Sequence, residues 1–299
     1  MESFRLGRAA LSYRAGLYLL LAPYLVGVGV LVVVPIVLSG ALAFTVYDGL
    51  SAPTWTGLGN FRDLLSDPLF GIAVRNSLLF VVLTVPLRVA IALGLALLLE
   101  RPRPGVGLYR VAVYVPTVIP AVAYALVWLW IFNPRYGPLN LALGSIGLPT
   151  PAWLVDSSTA LPAIALTALF QIGEGFIVLL AGLREVPEDC YHACALDGAG
   201  RGATLLHVVL PLLAPWLLLL TIRDVIVSAQ STFTPALVMT GGGPYYATLF
   251  VPLLIYETAF DRLRFGQGSA MSVLVLAAVG VLVLITYRAV GGWGYDDEA

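Results

Sequence analysis

Long apolar runs separated by short polar segments form the main pattern of this chain. The hydrocarbon core of a bilayer is about 30 Å thick, so a helix that rises about 1.5 Å per residue needs about 20 apolar residues to cross it. Runs of at least that length with few charged residues lie at 16–46, 73–99, 108–132, 160–183, 204–226 and 267–289. The pattern therefore predicts an all-α membrane protein with six transmembrane helices.

The distribution of arginines predicts how these helices are oriented. Nine arginines lie in segments on the same side of the membrane as the N-terminus, and five lie in segments on the opposite side. Because arginine-rich segments stay in the cytoplasm, we expect both termini there. The expected organisation is a cytoplasmic tail at 1–15, a transmembrane domain at 16–290 and a second cytoplasmic tail at 291–299.

Composition excludes several classes of protein. Hydrophobic residues make up 60% of the chain and charged residues 11%, whereas a soluble domain contains about 25% charged residues. A net charge of −1 argues against a nucleic-acid partner, which would require a basic face. All 16 Lys+Arg residues are arginines, so the chain has no lysine for a nucleotide-binding P-loop or a Schiff base. If this protein uses the energy of ATP, another subunit must bind the nucleotide.

Candidate catalytic and metal-binding residues are few. Cys190, His192 and Cys194 lie close together, but on a helix His192 points away from the two thiols. That arrangement leaves two ligands where zinc requires four. His192 and His207 are the only histidines, and no nucleophile and base accompany them. We therefore expect no catalytic residue, no metal and no cofactor.

The cytoplasmic segment at about 184–203 is the most informative part of the chain. Pro187 suits the first turn of a helix, and the acidic residues Glu188 and Asp189 would face the positive end of its dipole. Gly198 and Gly200 would end that helix. The segment thus predicts a cytoplasmic helix of two to three turns, which by helix physics alone could also be an ordinary amphipathic connector.

A sequence resemblance favours the functional interpretation. Residues 192–199 read HACALDGA and residues 210–215 read LPLLAP. The two stretches resemble the EAA loop of binding-protein-dependent ABC transporter permeases. His192 stands where that family usually has Glu, and Cys194 where it usually has Ala.

Further motifs extend the resemblance over almost the whole chain. GLGNF at 57–61, the segment from Asn133 to Asn140, MTGGGP at 239–244 and YETAF at 256–260 resemble motifs of the carbohydrate permeases that import maltose, related oligosaccharides and glycerol-3-phosphate. The resemblance implies the permease fold of type I ABC importers. It also implies transport of a carbohydrate or related polar solute across the cytoplasmic (inner) membrane of a prokaryote.

The same resemblance implies partners and a docking surface. The expected partners are a second, homologous permease subunit, two copies of a cytoplasmic ATPase subunit and an extracytoplasmic solute-binding protein. In this family the EAA helix docks into a cleft of the ATPase. The residues expected to contact the ATPase are Glu188, Tyr191, His192, Ala193, Cys194, Asp197 and Gly198.

Two charged residues lie near the middle of predicted spans. Arg88 and Glu174 are each about 20 Å below the outer end of their helices at 1.5 Å per residue, so contact between them is possible. Such a pair would be a purely structural ion pair or part of the wall of a translocation cavity. An ion-coupled secondary transporter or channel that uses Arg88 and Glu174 is the alternative function. An inverted repeat would favour that function, and the sequence shows none.

Alignment with maltose-type permeases adds further candidates for the solute cavity. Gln230, Ser231 and Thr232 align with the stretch where that family places sugar-contacting residues, and Gln171 and Glu174 align with cavity positions. Arg223 and Asp224 lie close to the outer end of the predicted fifth span, where snorkelling would explain them. The expected cavity residues are therefore Arg88, Gln171, Glu174, Gln230, Ser231 and Thr232.

Overall fold

The computed structural model describes residues 2–291, with side chains described from residue 15 to residue 288. The helices are α1 (Glu2–Val28), α2 (Val34–Leu42), α3 (Gly59–Ser66), α4 (Pro68–Leu99), α5 (Val106–Val118), α6 (Ala121–Ile131), α7 (Pro138–Ser145), α8 (Ser157–Leu169), α9 (Gly173–Arg184), α10 (Glu188–Leu196), α11 (Arg201–Thr204), α12 (Leu210–Leu212), α13 (Ala214–Ser231), α14 (Phe233–Pro235), α15 (Val251–Tyr256) and α16 (Phe265–Gly291). Segments of π-helix lie at Gly29–Val33, Leu205–Val209, Ala236–Thr240 and Glu257–Asp261, and β1 (Thr45–Val46) pairs antiparallel with β2 (Thr54–Trp55).

Four stretches of continuous helix within the described residues are long and apolar enough to cross a membrane. They are Ala15–Leu42, Pro68–Leu99, Ala214–Thr240 and Phe265–Arg288. Two further stretches are bent pairs, α5 with α6 at 102° and α8 with α9 at 45°. Counting each pair as one span gives six spans, which confirms the predicted number. The backbone of the predicted N-terminal tail already belongs to α1, and residues 292–299 of the predicted C-terminal tail lie outside the described residues.

The fifth span lies further along the chain than predicted. The sequence pattern placed it at 204–226, but the long helix covers Ala214–Thr240. Pro215 stands in the first turn of that helix, where its missing N–H costs nothing. The prediction therefore placed Arg223 and Asp224 close to the outer end of the span, whereas they lie near the middle of the helix.

The bends in the third and fourth spans have local causes. Pro120 lacks an N–H and forces the preceding Ile119 into an extended conformation with ψ of 130°, so α5 ends there. The fourth span is interrupted at residues 170–172, between α8 and α9. No proline stands at that interruption, so the sequence pattern predicted one continuous helix at 160–183.

Two compact units make up the fold. One contains the chain up to residue 64 together with 258–273, and the other contains 65–257 and the chain from residue 274. In the first unit, Asn60 donates hydrogen bonds from Nδ2 to the carbonyls of Ala43 (2.9 Å) and Thr45 (2.8 Å). This asparagine belongs to the GLGNF motif, so one role of that motif is to hold the start of the β-hairpin.

Within the described part of the second unit, two clusters of buried apolar side chains are separate from each other. The α9 cluster consists of Ala92, Ala96, Leu99, Val106, Ile172, Phe176, Leu179, Leu180, Leu183, Val209, Leu213 and Leu220. The α6 cluster consists of Ala125, Phe132, Ala163 and Met239. The α9 cluster lies toward the α10 end of the bundle, and the α6 cluster lies on the other side of the breaks in the third and fourth spans.

Candidate functional sites in the helical bundle

Helix α10 confirms the predicted helix in the segment at 184–203. It spans Glu188–Leu196. Pro187 stands directly before the first residue of the helix, whereas the sequence placed this proline within the first turn. Gly198 follows with φ of +71°, a left-handed conformation that costs a residue with a Cβ energy. No residue of α10 is buried and six of its nine residues are exposed, so the helix has a broad face open to a partner.

An aromatic side chain packs helix α10 against the bundle, and the helix borders a polar groove. Tyr191 is half-buried against the α9 cluster. Burial, and next the nearby Glu100 carboxylate, raise the pKa of Tyr191. The groove has a volume of about 650 Å³ and is lined by Glu100, Arg101, Pro102, Arg110, Leu183, Arg184, Val186, Glu188, Tyr191 and His192.

The seven predicted coupling residues separate into groove residues and outward-facing residues. Glu188, Tyr191 and His192 line the groove. Ala193, Asp197 and Gly198 are exposed, whereas Cys194 is half-buried. The thiols of Cys190 and Cys194 are free, and no group of three or more metal-ligating side chains forms among the described residues.

A network of four charged side chains lies at the middle of the bundle. The Arg88 Nε and the Asp224 Oδ2 are 3.6 Å apart, and the other Asp224 oxygen lies 2.8 Å from Arg223 Nη1. Arg223 also forms an ion pair with Glu174. The network joins α4, α13 and α9, and its two positive and two negative charges cancel.

The ion pairs differ from those that the sequence suggested. Arg88 and Glu174 are at the same level and belong to one network, but no ion pair joins them directly. Asp224 of α13 is the carboxylate that pairs with Arg88. The snorkelling interpretation of Asp224 is wrong, because Asp224 is only 3% exposed and lies inside the fifth span. Asp224 was missed because its depth depended on the misplaced boundary of that span.

One half of this network is buried and the other half is partly exposed. The side chains of Arg88 and Asp224 are 6% and 4% exposed, whereas those of Arg223 and Glu174 are 32% and 50% exposed. A charge that faces hydrocarbon is costly, so exposed charges at this depth face a partner or a water-filled cavity. The exposed half of the network therefore marks the polar face of the bundle.

Three side chains hold the broken backbone at residues 170–172. Arg88 donates from Nη2 to the Gln171 carbonyl at 3.0 Å, and the Tyr124 hydroxyl donates to the Thr167 carbonyl at 2.6 Å. The Gly173 amide donates to the Thr117 hydroxyl at 3.1 Å. Free backbone groups are costly inside a membrane, so these bonds stabilise the break. Tyr124 and Thr117 were not candidates from the sequence because the break itself carries no proline signal.

The predicted cavity residues do not all line the same pocket. Gln171 and Ser231 line one pocket of about 120 Å³, to which Tyr124 also contributes. Gln230 is exposed on α13, whereas Thr232 is 1% exposed and its hydroxyl has no hydrogen-bond partner. Arg88 and Glu174 do not line this pocket, so the six residues do not share one closed cavity within the described chain.

Comparison with known proteins gives consistent matches over most of the chain. The family described as "Binding-protein-dependent transport system inner membrane component" matches residues 101–291. The probable ABC transporter permease protein YesP of Bacillus subtilis is 32% identical over 94% of this chain and 92% of its own length. The sn-glycerol-3-phosphate transport system permease protein UgpA of Agrobacterium fabrum is 32% identical over 81% of this chain and 82% of its own.

A solved structure shows the same fold. One chain in the crystal structure of the bacterial alginate ABC transporter, in complex with an alginate pentasaccharide-bound periplasmic protein, superposes with a TM-score of 0.80. The superposition covers 94% of this chain and 95% of that one at 20% sequence identity. The predicted permease architecture is therefore confirmed at the level of the fold.

Proposed function

The chain belongs to the family of binding-protein-dependent transport system inner membrane components, and on that premise we propose that it is the permease subunit of an ABC importer for a carbohydrate or a closely related polar solute. The glycerol-3-phosphate permease among its relatives and the carbohydrate-permease motifs support this solute class. The excess of arginine on the N-terminal side supports insertion in the cytoplasmic membrane of a prokaryote with both termini in the cytoplasm.

Helix α10 is the observation that carries the proposal. It is a short rigid helix bounded by Pro187 and Gly198, exposed over most of its length, and packed against the α9 cluster through Tyr191. A partner that pushes on α10 would therefore move the α9 cluster directly. A cytoplasmic ATPase subunit, present in two copies, is the partner we infer for this surface, since the chain has no P-loop lysine of its own.

The polar face of α13 is our candidate for the solute path. Arg223, Gln230 and Ser231 are spaced by seven and eight residues, so they lie on one side of the helix. Gln230 and Ser231 are exposed, and Arg223 with Glu174 is partly exposed at the middle of the span. Hydroxyl, amide and charged groups can hydrogen-bond to a polyhydroxy solute. One chain leaves this face open, so we infer that a second, homologous permease subunit closes the path.

An extracytoplasmic solute-binding protein completes the proposed assembly. The alginate transporter with a similar fold was crystallised with its periplasmic protein, which supports the same arrangement for this chain. The permease itself has no catalytic role in this proposal, because ATP hydrolysis occurs in the partner.

Purification from native membranes tests the subunit assignment. A tagged version of the chain should copurify with an ATPase and with a second membrane subunit. After reconstitution into liposomes, that complex should accumulate solute only with ATP inside the liposome and binding protein outside it. Accumulation by the single chain, driven by an ion gradient without ATP, would support the alternative of a secondary transporter and overturn the proposal.

A further inference from the structure

The third and fourth spans are broken at the same level of the bundle. The break between α5 and α6 at Ile119–Pro120 lies beside the break at 170–172, because side chains bond across from one span to the other. In α4, Pro86 lies inside the helix close to this level, where its missing N–H removes a backbone hydrogen bond. Three neighbouring helices are therefore weakened at one level.

The hydrogen bonds at this level join particular halves of the broken spans. Thr117 of α5 accepts from Gly173 of α9 at 3.1 Å, so the halves that lead toward α10 are bonded to each other. Tyr124 of α6 donates to Thr167 of α8 at 2.6 Å, so the other two halves are likewise bonded. Neither bond joins the two halves of one span.

The apolar packing is divided at the same level. The α9 cluster contains α9 residues and Val106 of α5, and Tyr191 of α10 packs against it. The α6 cluster contains residues of α6, Ala163 of α8 and Met239. The α5–α9–α10 block and the α6–α8 block thus each have their own packing and their own cross-span hydrogen bond. A rigid interior resists deformation, so bending between the blocks is easier than bending within either block.

We propose that the paired breaks are a hinge between these two blocks, and that Thr117 and Tyr124 are positioning residues that make each pair of half-spans move as one. This inference rests on the proposed function, in which α10 receives the force from the ATPase. Because α9 is 12 residues long, a tilt of about 10° at the break moves its far end by about 3 Å. Arg88 lies at the pivot, where it bonds to both Gln171 and Asp224.

Distances between spin labels on the intact, copurified importer test the hinge. The labels replace exposed residues in a background that carries Cys190→Ser and Cys194→Ala, alanine being the residue that the family usually has at position 194. Solute uptake per ATP hydrolysed is measured in this background first. The label sites are Leu108 on α5, Val122 on α6, Ser158 on α8 and Ile177 on α9. The pairs Leu108–Val122 and Ser158–Ile177 cross the hinge, and the pairs Leu108–Ile177 and Val122–Ser158 lie within one block.

We expect the two pairs that cross the hinge to change distance between the nucleotide-free and vanadate-trapped states. The two pairs within a block should stay constant. Unchanged distances across the hinge in an importer that still couples ATP hydrolysis to uptake would overturn the hinge and leave the proposed function intact. Failure of any ATPase to copurify would instead overturn the proposed function.

A matched pair of variants at Thr117 tests its positioning role. Thr117→Val removes the hydroxyl acceptor at similar shape, and Thr117→Ser keeps it. We expect Thr117→Val to lower the amount of solute transported per ATP hydrolysed by about two- to ten-fold, which is the factor that one hydrogen bond contributes to an equilibrium constant. The same variant should broaden the distribution of Leu108–Ile177 distances. Thr117→Ser should match the unmodified importer in both measurements. Equal coupling in both variants, with a narrow distance distribution, would show that this bond does not position the block.

Discussion

Replacing Asp224 by asparagine should destabilise the folded subunit far more than the matching change at Glu174. Asp224 is 3% exposed and is the carboxylate that pairs with Arg88, itself 6% exposed. At 3.6 Å and an effective dielectric constant of about 20, the attraction between the two charges is about 4–5 kcal/mol. Removing one partner of a buried pair leaves an uncompensated charge and costs about 3–5 kcal/mol. That loss approaches the whole stability of many proteins.

Glu174→Gln is the matched change on the exposed side of the same network. The side chain of Glu174 is half exposed, and exposed ion pairs contribute about 0–1 kcal/mol. Asp224 would still balance Arg88 in this variant. We therefore expect a near-normal yield of assembled complex from Glu174→Gln and a small yield from Asp224→Asn.

Size-exclusion chromatography and thermal unfolding in detergent measure this difference. The double variant Arg88→Met with Asp224→Leu supplies a control, because apolar residues can replace a buried ion pair at little cost. We expect the double variant to recover part of the stability that Asp224→Asn loses, because it removes the unpaired charge but also the hydrogen bond from Arg88 to the Gln171 carbonyl. Equal stability of Asp224→Asn and Glu174→Gln would refute the assignment of Asp224 as the structural partner of Arg88.

Three further changes test other parts of the structure. Gly198→Val should reduce the rate of solute uptake without reducing insertion, because a φ of +71° strains a β-branched residue by about 1–3 kcal/mol. Gly200→Val, at a φ of −71°, is the control and should leave uptake unchanged. Gly182→Ala should lower the free energy of unfolding by about 1–3 kcal/mol, because the added Cβ would lie 2.8 Å from the indole ring of Trp216 in α13. Gly94→Ala, which has open space around it, should leave the free energy of unfolding unchanged. Hydrogen bonds from the amides of residues 51 and 50 lower the pKa of the Asp48 carboxyl from 3.8 to about 2. The protection factors of these two amides, which correct for the intrinsic pH dependence of exchange, should therefore be constant above about pH 4 and fall as pH drops from about 4 toward 2.

The helices and the α10 segment could be predicted because their signals are local. Apolar length determines whether a helix can cross a bilayer, and the six spans were identified on that basis. Pro187 and Gly198 mark the limits of α10, since proline suits helix starts and a left-handed glycine ends helices. Neither feature depends on which helices are neighbours in the fold.

The charge network could not be predicted in full because it depends on which helices meet. Depth alone made Arg88 and Glu174 possible partners, but depth does not say which side chain faces which helix. Moving the fifth span by about ten residues changes Asp224 from a surface residue to a buried one. The break at 170–172 was hidden for a similar reason, since its free backbone groups are stabilised by Arg88, Tyr124 and Thr117 from other helices.

The position of the Arg88–Asp224 pair fits a bundle that bends at one level. Helices α4 and α13 both run past the broken spans, so each accompanies both blocks when they tilt. Displacement between neighbouring helices is smallest at the pivot and grows toward the ends. A bond that joins α4 to α13 at the pivot therefore persists through the motion, whereas the same bond near either end would resist it. A long guanidinium side chain also tolerates a change of angle that interdigitated apolar packing does not. A buried ion pair therefore suits this level of the bundle, although an apolar contact would join two helices there at a lower free-energy cost.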